Sequence, residues 1–257
     1  AVPDIQKQLL AFRKPQKLVD PAVENSLIYD FYGFPDHMYQ EQFHTKGSPS
    51  IAAQIKQHLE ENEFRSNVVP RGIDHGVWVP FKVAFSDYNT QTGNQPETPL
   101  WDLPDTPVVQ VSLTLRDTDF ASHYKLGQVL DHFRKNEIWD EAQQRYLKGM
   151  VVCSGMSVHN LRDMAYCSMN KLAPYTAPFS KKLTEIVTTG ATLDQYEDLK
   201  TNHAGLLRGA HPTAEHFLPI VVASGMASVD KEKGKELYNA NFGSLAWGIF
   251  QFGEVKL

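Results

Sequence analysis

The chain predicts an α/β protein, and three observations carry that expectation. The stretch Pro107–Leu115 (PVVQVSLTL) alternates Val109, Val111, Leu113 and Leu115 against polar partners, as a strand requires. The segment Asp119–Lys135 then carries Phe120, Tyr124, Leu126, Leu130 and Phe133 on one helical face. The run Met150–Arg162 (MVVCSGMSVHNLR) opens on a short apolar stretch with β-branched residues between Gly149 and Gly155. That stretch reads as a buried strand, although periodicity alone leaves a buried helix open. Strand, helix, strand in this order implies a crossover unit with parallel strands.

Composition sets the outer limits. The 257 residues are enough for one large domain or two small ones, and 42% hydrophobic with 21% charged residues suits a globular chain with a substantial core. The net charge of −5, without a basic run, argues against nucleic acid and anionic membranes as partners. No apolar segment reaches membrane-spanning length, and Ala1 onward shows no charged-then-apolar secretory pattern. Cys153 and Cys167 are too few for a disulfide framework and lack CxxC spacing. Cys153, inside the apolar run, reads as an inert buried thiol. These features lead to the expectation of a cytoplasmic protein.

Taken in order, Ile5, Leu9 and Phe12 mark a first helix closed by Lys14-Pro15. Lys17-Leu18-Val19 opens a strand that stops abruptly at Asp20-Pro21. Ser26–Tyr39 (SLIYDFYGFPDHMY) is dense in aromatic residues, which suits a loop packed over a core or one wall of a pocket for a flat ligand. His37 and His44 lack metal spacing and read as surface residues. Ser48-Pro49 starts a helix with a capping serine and a first-turn proline, and Ile51, Ile55 and Leu59 form its stripe. In Arg71–Pro80 (RGIDHGVWVP), Gly72 and Gly76 bracket Asp74-His75, a backbone able to turn sharply and leave the imidazole in a cleft beside Trp78. A core-packing loop accounts for the same residues equally well.

Ser86–Thr106 is polar and reads as a long surface loop. A charged helix is expected near Asp140–Lys148, between the Asp119 helix and the Met150 strand. Where that strand ends, Ser157, His159, Asn160 and Arg162 crowd together, and ligands gather beyond the carboxyl ends of strands in α/β sheets. His159 is therefore a candidate ligand or acid/base, while capping of the next helix is the plainer role for His159 and Asn160. Ala177–Thr189 is helical on Phe179, Leu183, Ile186 and Val187, stopped by Gly190, and Thr192–Gln195 is a capping-box start. In His211–Pro219 (HPTAEHFLP), Thr213 is expected to cap a helix carrying His216 at its third position. The positive end of that helix would keep the imidazole neutral, as a divalent metal requires. Ser244–Phe252 reads as a closing strand.

Five of these motifs, YDFYGFP at 29–35, GSP at 47–49, RGIDHGVWVP at 71–80, VHNLR at 158–162 and HPTAEHFLP at 211–219, occur in one order over nearly the entire chain. In this they resemble the DOPA 4,5-dioxygenase-like branch of the class III extradiol ring-cleavage dioxygenases. The resemblance implies one α/β domain over residues 1–257, a central mixed β-sheet flanked by helices with a metal at one end. It implies a non-haem Fe(II) or Zn(II), with a small catechol-type aromatic diol and O2 as reactants. His216 matches a metal ligand, His159 matches the histidine assigned to the metal or to acid/base work, and His75 matches one that faces the substrate. Two further ligand histidines of that branch have no match: one precedes Ala1, and Asp20-Pro21 stands where the other is expected. Either residues are omitted or the metal site is reduced, so a non-catalytic relative keeping the fold and pocket is the alternative. Continuity of the backbone between Val19 and Pro21 would separate the two.

Overall fold

The computed structural model describes residues 16–19, 24–85, 102–103, 106–114, 116–168 and 170–254. The first expected helix, most of the Ser86–Thr106 loop and the Val19–Pro21 junction lie outside the described residues. The protein is α/β, and its chain divides into two compact units, Ala1–Ser112 with Asn136–Gly149, and Leu113–Lys135 with Met150–Leu257.

In the first unit, β1 (Gln16–Val19) runs parallel to β2 (Ser66–Val69), with Gln16 opposite Ser66 and Val19 opposite Val69. Between them lies α1 (Pro49–Glu61), where the Ser48 hydroxyl accepts the Ile51 N–H and Pro49 occupies the first turn, as the sequence predicts. Ile55 and Leu59 are buried beneath it. The next helix, α2 (His75–Phe85), begins at His75 itself. The Trp78 indole N–H donates to the Ile28 carbonyl at 3.0 Å, which ties this helix to the aromatic segment.

The expected helix at Asp140–Lys148 is instead a hairpin, β3 (Glu137–Asp140) against β4 (Arg145–Lys148). Its causes are tertiary. Ser48 and Ser50 hydroxyls of α1 donate to the buried Asp140 carboxylate at 2.5 and 3.0 Å, and Gln54 donates to the Trp139 carbonyl at 2.8 Å. Trp139 and Tyr146 face each other edge-on across the two strands at 5.2 Å. Charge density alone does not tell a solvated helix from an exposed hairpin.

The second unit is built on α3 (Phe120–Lys135) and α7 (Leu218–Ser228). All five residues of the predicted face of α3 are buried. The two helices meet backbone to backbone. A Cβ on Gly127 would sit 1.9 Å from the Val222 carbonyl oxygen, and one on Gly225 would sit 2.0 Å from that of Tyr124. Helix α4 (Thr176–Thr189) ends at Gly190 and buries its predicted stripe, and α5 (Leu193–Thr201) starts with the predicted capping box of Thr192 and Gln195. A short α6 (Ala204–Ala210) follows.

The sheet of this unit is antiparallel, in the order β5 (Val158–His159), β7 (Leu245–Gln251), β6 (Lys235–Phe242). The parallel crossover predicted from Pro107, Asp119 and Met150 is not formed among the described residues. Pro107–Thr114 has only an isolated bridge at Val111, Leu115 lies outside the described residues, and the Met150 run is irregular as far as Ser157. Met150 and Val152 are 69% and 50% exposed, so apolar character there does not mark a buried strand. His123, fully buried, locks the approach to α3: its Nδ1–H donates to the Asp119 carbonyl at 2.7 Å and its Nε2 accepts from the Thr114 N–H at 3.2 Å.

The contact between α3 and α7 sets a prediction. Gly→Ala in a helix ordinarily stabilises by about 0.5–1 kcal/mol. Gly127→Ala should instead destabilise, by about 1–3 kcal/mol as overpacking does, because the methyl meets rigid helix backbone. Urea unfolding of wild type and variant checks the sign.

Candidate functional site

The sheet and the turn before α7 bring two predicted histidines together. β5 ends on His159, opposite Leu245 of β7. The residue after it, Asn160, is buried and held on every polar atom. Its N–H donates to the Ser244 carbonyl, and its own carbonyl accepts the Ser244 hydroxyl at 2.6 Å. Its side-chain oxygen caps the 3-10 helix Leu161–Tyr166 through the Arg162 N–H, and its amide donates to Asp163 and the Gly209 carbonyl at 3.1 and 2.8 Å. The plainer capping role thus belongs to Asn160. Tyr175 reinforces the arrangement by donating to the same Asp163 oxygen at 2.7 Å.

His216 does not sit in the first turn of a helix. α7 starts at Leu218, and His216 lies in the turn before it. Thr213 donates to the Glu215 carboxylate at 2.9 Å rather than capping, so the helix-dipole account of a neutral His216 does not apply. What places His216 is backbone: the Met156 N–H donates to its carbonyl at 2.9 Å, and Gly155 passes so near that a Cβ would lie 2.3 Å from the same oxygen. The two imidazoles stack at a centroid distance of 3.6 Å and an interplanar angle of 24°. Glu215 joins them, and donor atoms of His159, Glu215 and His216 all lie within 4.8 Å of one another. Two imidazoles and a carboxylate this close fit a divalent metal of the iron or zinc kind. Glu215 escaped the sequence reading because an acidic residue beside a histidine is ordinary surface composition.

His211 is the second residue the sequence reading missed. It is 3% exposed, its ring flanked by Phe179 and Phe217, and its Nε2–H donates to the Ser157 carbonyl at 2.9 Å. Burial pushes its pKa down to about 4, the Ser157 carbonyl opposes this, and nearby His159 and His216 add to the lowering. His211 is therefore a neutral structural clamp on the residue two before His159. Cys153, expected to be buried, is only partly so, and the surroundings of its thiol push its pKa up to about 12.

His75 belongs to the other unit and has its own setting. Asp30, not the adjacent Asp74, pairs with it: one Asp30 oxygen lies 2.7 Å from His75 Nδ1 and 3.0 Å from its backbone N. Asp74 is engaged by Arg71 and Gln110 at 2.8 and 2.7 Å. The predicted aromatic segment does gather here. Phe31 stands edge-on to the His75 ring at 6.2 Å, and Tyr29, Phe31 and Trp78 contact one another at 5.4–6.1 Å. Tyr32 and Phe34 instead face outward, 64% and 49% exposed. His37 is exposed and His44 half-buried against Glu24, neither within the three-residue donor set.

His211 makes a testable statement about pH. Its folded pKa lies below the ordinary value, so between about 6.5 and about 4 the unfolded chain binds the extra proton and stability falls with falling pH. A depression of that size corresponds to a loss on the order of 3 kcal/mol. His211→Gln, which keeps a donor for Ser157, should flatten this slope in denaturant titrations at several pH values, while an unchanged slope would exclude a neutral buried His211.

Comparison with known proteins follows the same residues. The family model described as the catalytic LigB subunit of aromatic ring-opening dioxygenase matches residues 9–249. A Schizosaccharomyces pombe protein named 4,5-DOPA dioxygenase extradiol-like protein is 34% identical over 82% of this chain, which spans 62% of that relative's length. The 4,5-DOPA dioxygenase extradiol of Beta vulgaris is 31% identical over 90% of this chain and 74% of its own. The crystal structure of an uncharacterized Escherichia coli K12 protein superposes with a TM-score of 0.61 at 20% identity, covering 93% of this chain and 81% of the other, a likeness of fold. No helix among the described residues is long and apolar enough to cross a membrane. This chain belongs to the LigB family of aromatic ring-opening dioxygenase subunits, in its DOPA dioxygenase-like branch.

Proposed function

We propose that this chain is an extradiol dioxygenase that opens a small catechol-type diol with O2 at a non-haem divalent metal, Fe(II) or Zn(II). The observation that carries this reading is the His159–His216 stack with Glu215 inside the same 4.8 Å donor set. The names of the relatives support the reaction class and the aromatic substrate. The family match runs through both units, which supports reading 1–257 as one catalytic domain.

In this reading His216 and His159 hold the metal and the Glu215 carboxylate adds a third donor, a two-histidine, one-carboxylate set of the kind used by non-haem Fe(II) oxygenases. A bound divalent metal would supply Lewis acidity that favours the deprotonated diol. His159, at the end of β5, is held still by the clamped Asn160; taking a phenolic proton is its alternative role, open only where its lone pair is not given to the metal. His75 serves the substrate as a proton-transfer group, and the rings around it offer the flat apolar surface that an aromatic substrate needs. His211 keeps the strand end fixed and takes no part in proton transfer near neutral pH.

Metal analysis and a ring-opening assay on the same Fe(II)-loaded samples test this. His216→Ala should lose metal and activity together. His75→Gln should keep its metal and lose turnover by roughly the 10²–10⁴-fold of general acid–base catalysis. If His75→Gln loses metal as fully as His216→Ala, His75 is a ligand and the division of roles fails. Tight metal binding by the wild type with no ring opening of any simple catechol would replace the reading with a binding protein.

A further inference from the structure

We propose that Asp30 is the positioning residue of His75: it takes the Nδ1–H, so that His75 meets its substrate through Nε2. The mention of substrate rests on the ring-opening reading; the state of the ring does not. One oxygen of Asp30 receives two donors from a single residue, the backbone N–H at 3.0 Å and the ring Nδ1 at 2.7 Å. The first contact fixes where α2 begins, and the second fixes the rotation of the ring. An ionised carboxylate accepts only, so the proton between them belongs to Nδ1. The carboxylate is itself held in place. Its side chain is 16% exposed, and on either side of it the Ile28 carbonyl is bonded by Trp78 and the Phe31 carbonyl by the Tyr39 hydroxyl at 3.2 Å.

Two effects compete for the charge on His75. As first residue of α2 it feels the positive end of the helix, which disfavours a cation. Asp30 opposes this at contact distance. Asp74, paired with Arg71, adds to the raising, but the contact that leads is the hydrogen bond to Asp30. Contact wins: the hydrogen bond to Asp30 raises the His75 pKa above its ordinary value against the effect of burial, and Asp30 itself, despite its burial, is lowered by the same bonds. A raised pKa extends the pH range over which the imidazole stays protonated. His75 and His211 are thus shifted in opposite directions, one raised by a carboxylate and the other lowered by burial.

The test is nitrogen-15 NMR of the His75 ring in the metal-free full chain, assigned by loss of its signals in His75→Gln. Wild-type His75 should deprotonate at Nε2 first and leave the Nδ1–H tautomer. Asp30→Asn keeps an accepting oxygen and removes the charge, so the tautomer should persist while the titration midpoint falls. Asp30→Ala should lose both. In the active, metal-loaded enzyme, Asp30→Asn should move the alkaline limb of the kcat/KM profile to lower pH. A wild-type Nε2–H tautomer, or a midpoint unmoved in Asp30→Asn, overturns the proposal whatever the activity. NMR behaviour as stated in a chain that opens no catechol upholds the role of Asp30 on the ring and overturns the ring-opening reading instead.

Discussion

The contact on which the candidate centre depends is the hydrogen bond from the Met156 N–H to the His216 carbonyl. It joins the segment entering β5 to the turn entering α7, two pieces some sixty residues apart in the chain. Gly155 permits the approach by having no Cβ to meet that oxygen. With this contact made, His159 and His216 stack without either residue being at a helix start. β7 then secures β5 from the other side, since Ser157 N–H donates to Ala246 and Asn160 N–H to Ser244. Backbone carries the site, and Glu215, whose carboxylate accepts from Thr213, still has a donor atom in the same cluster.

The histidines of this protein illustrate how environment assigns a role to one residue type. His123 and His211 are buried and lowered in pKa by that burial; His123 engages backbone with both ring nitrogens and His211 with Nε2. Both are structural. His159 and His216 are half-buried beside a carboxylate, the condition for holding a cation. His75 is half-exposed and paired with Asp30, the condition for handling a proton. Burial, partner and exposure separate these roles, and sequence position does not.

Aromatic packing does the corresponding work in the first unit. Tyr29, Phe31 and Trp78 form a cluster in edge and tilted contacts, with Tyr39 closing against Phe31 at 5.1 Å. Such pairs add about 0.5–1.5 kcal/mol beyond area burial. The cluster holds Asp30 between two structured neighbours and brings it to His75, so aromatic packing sets the geometry of the Asp30–His75 pair.

Local chemistry determined the helices: the Ser48-Pro49 start, the buried face of α3, the Thr192 capping box and the Gly190 stop all follow from short-range rules that tertiary contacts reinforce. The motif histidines at 75, 159 and 216 were legible too, because their residue types carry chemistry wherever they are placed. Strands were less so. A strand is made by its partner, and Met150–Ser157 finds no ladder among the described residues, whereas Glu137–Lys148 finds one with itself once Ser48 and Ser50 capture Asp140. The partners of the histidines were the least legible. Asp30 lies 45 positions from His75 and Ser157 lies 54 from His211, and only a folded backbone brings such distant groups within hydrogen-bonding reach.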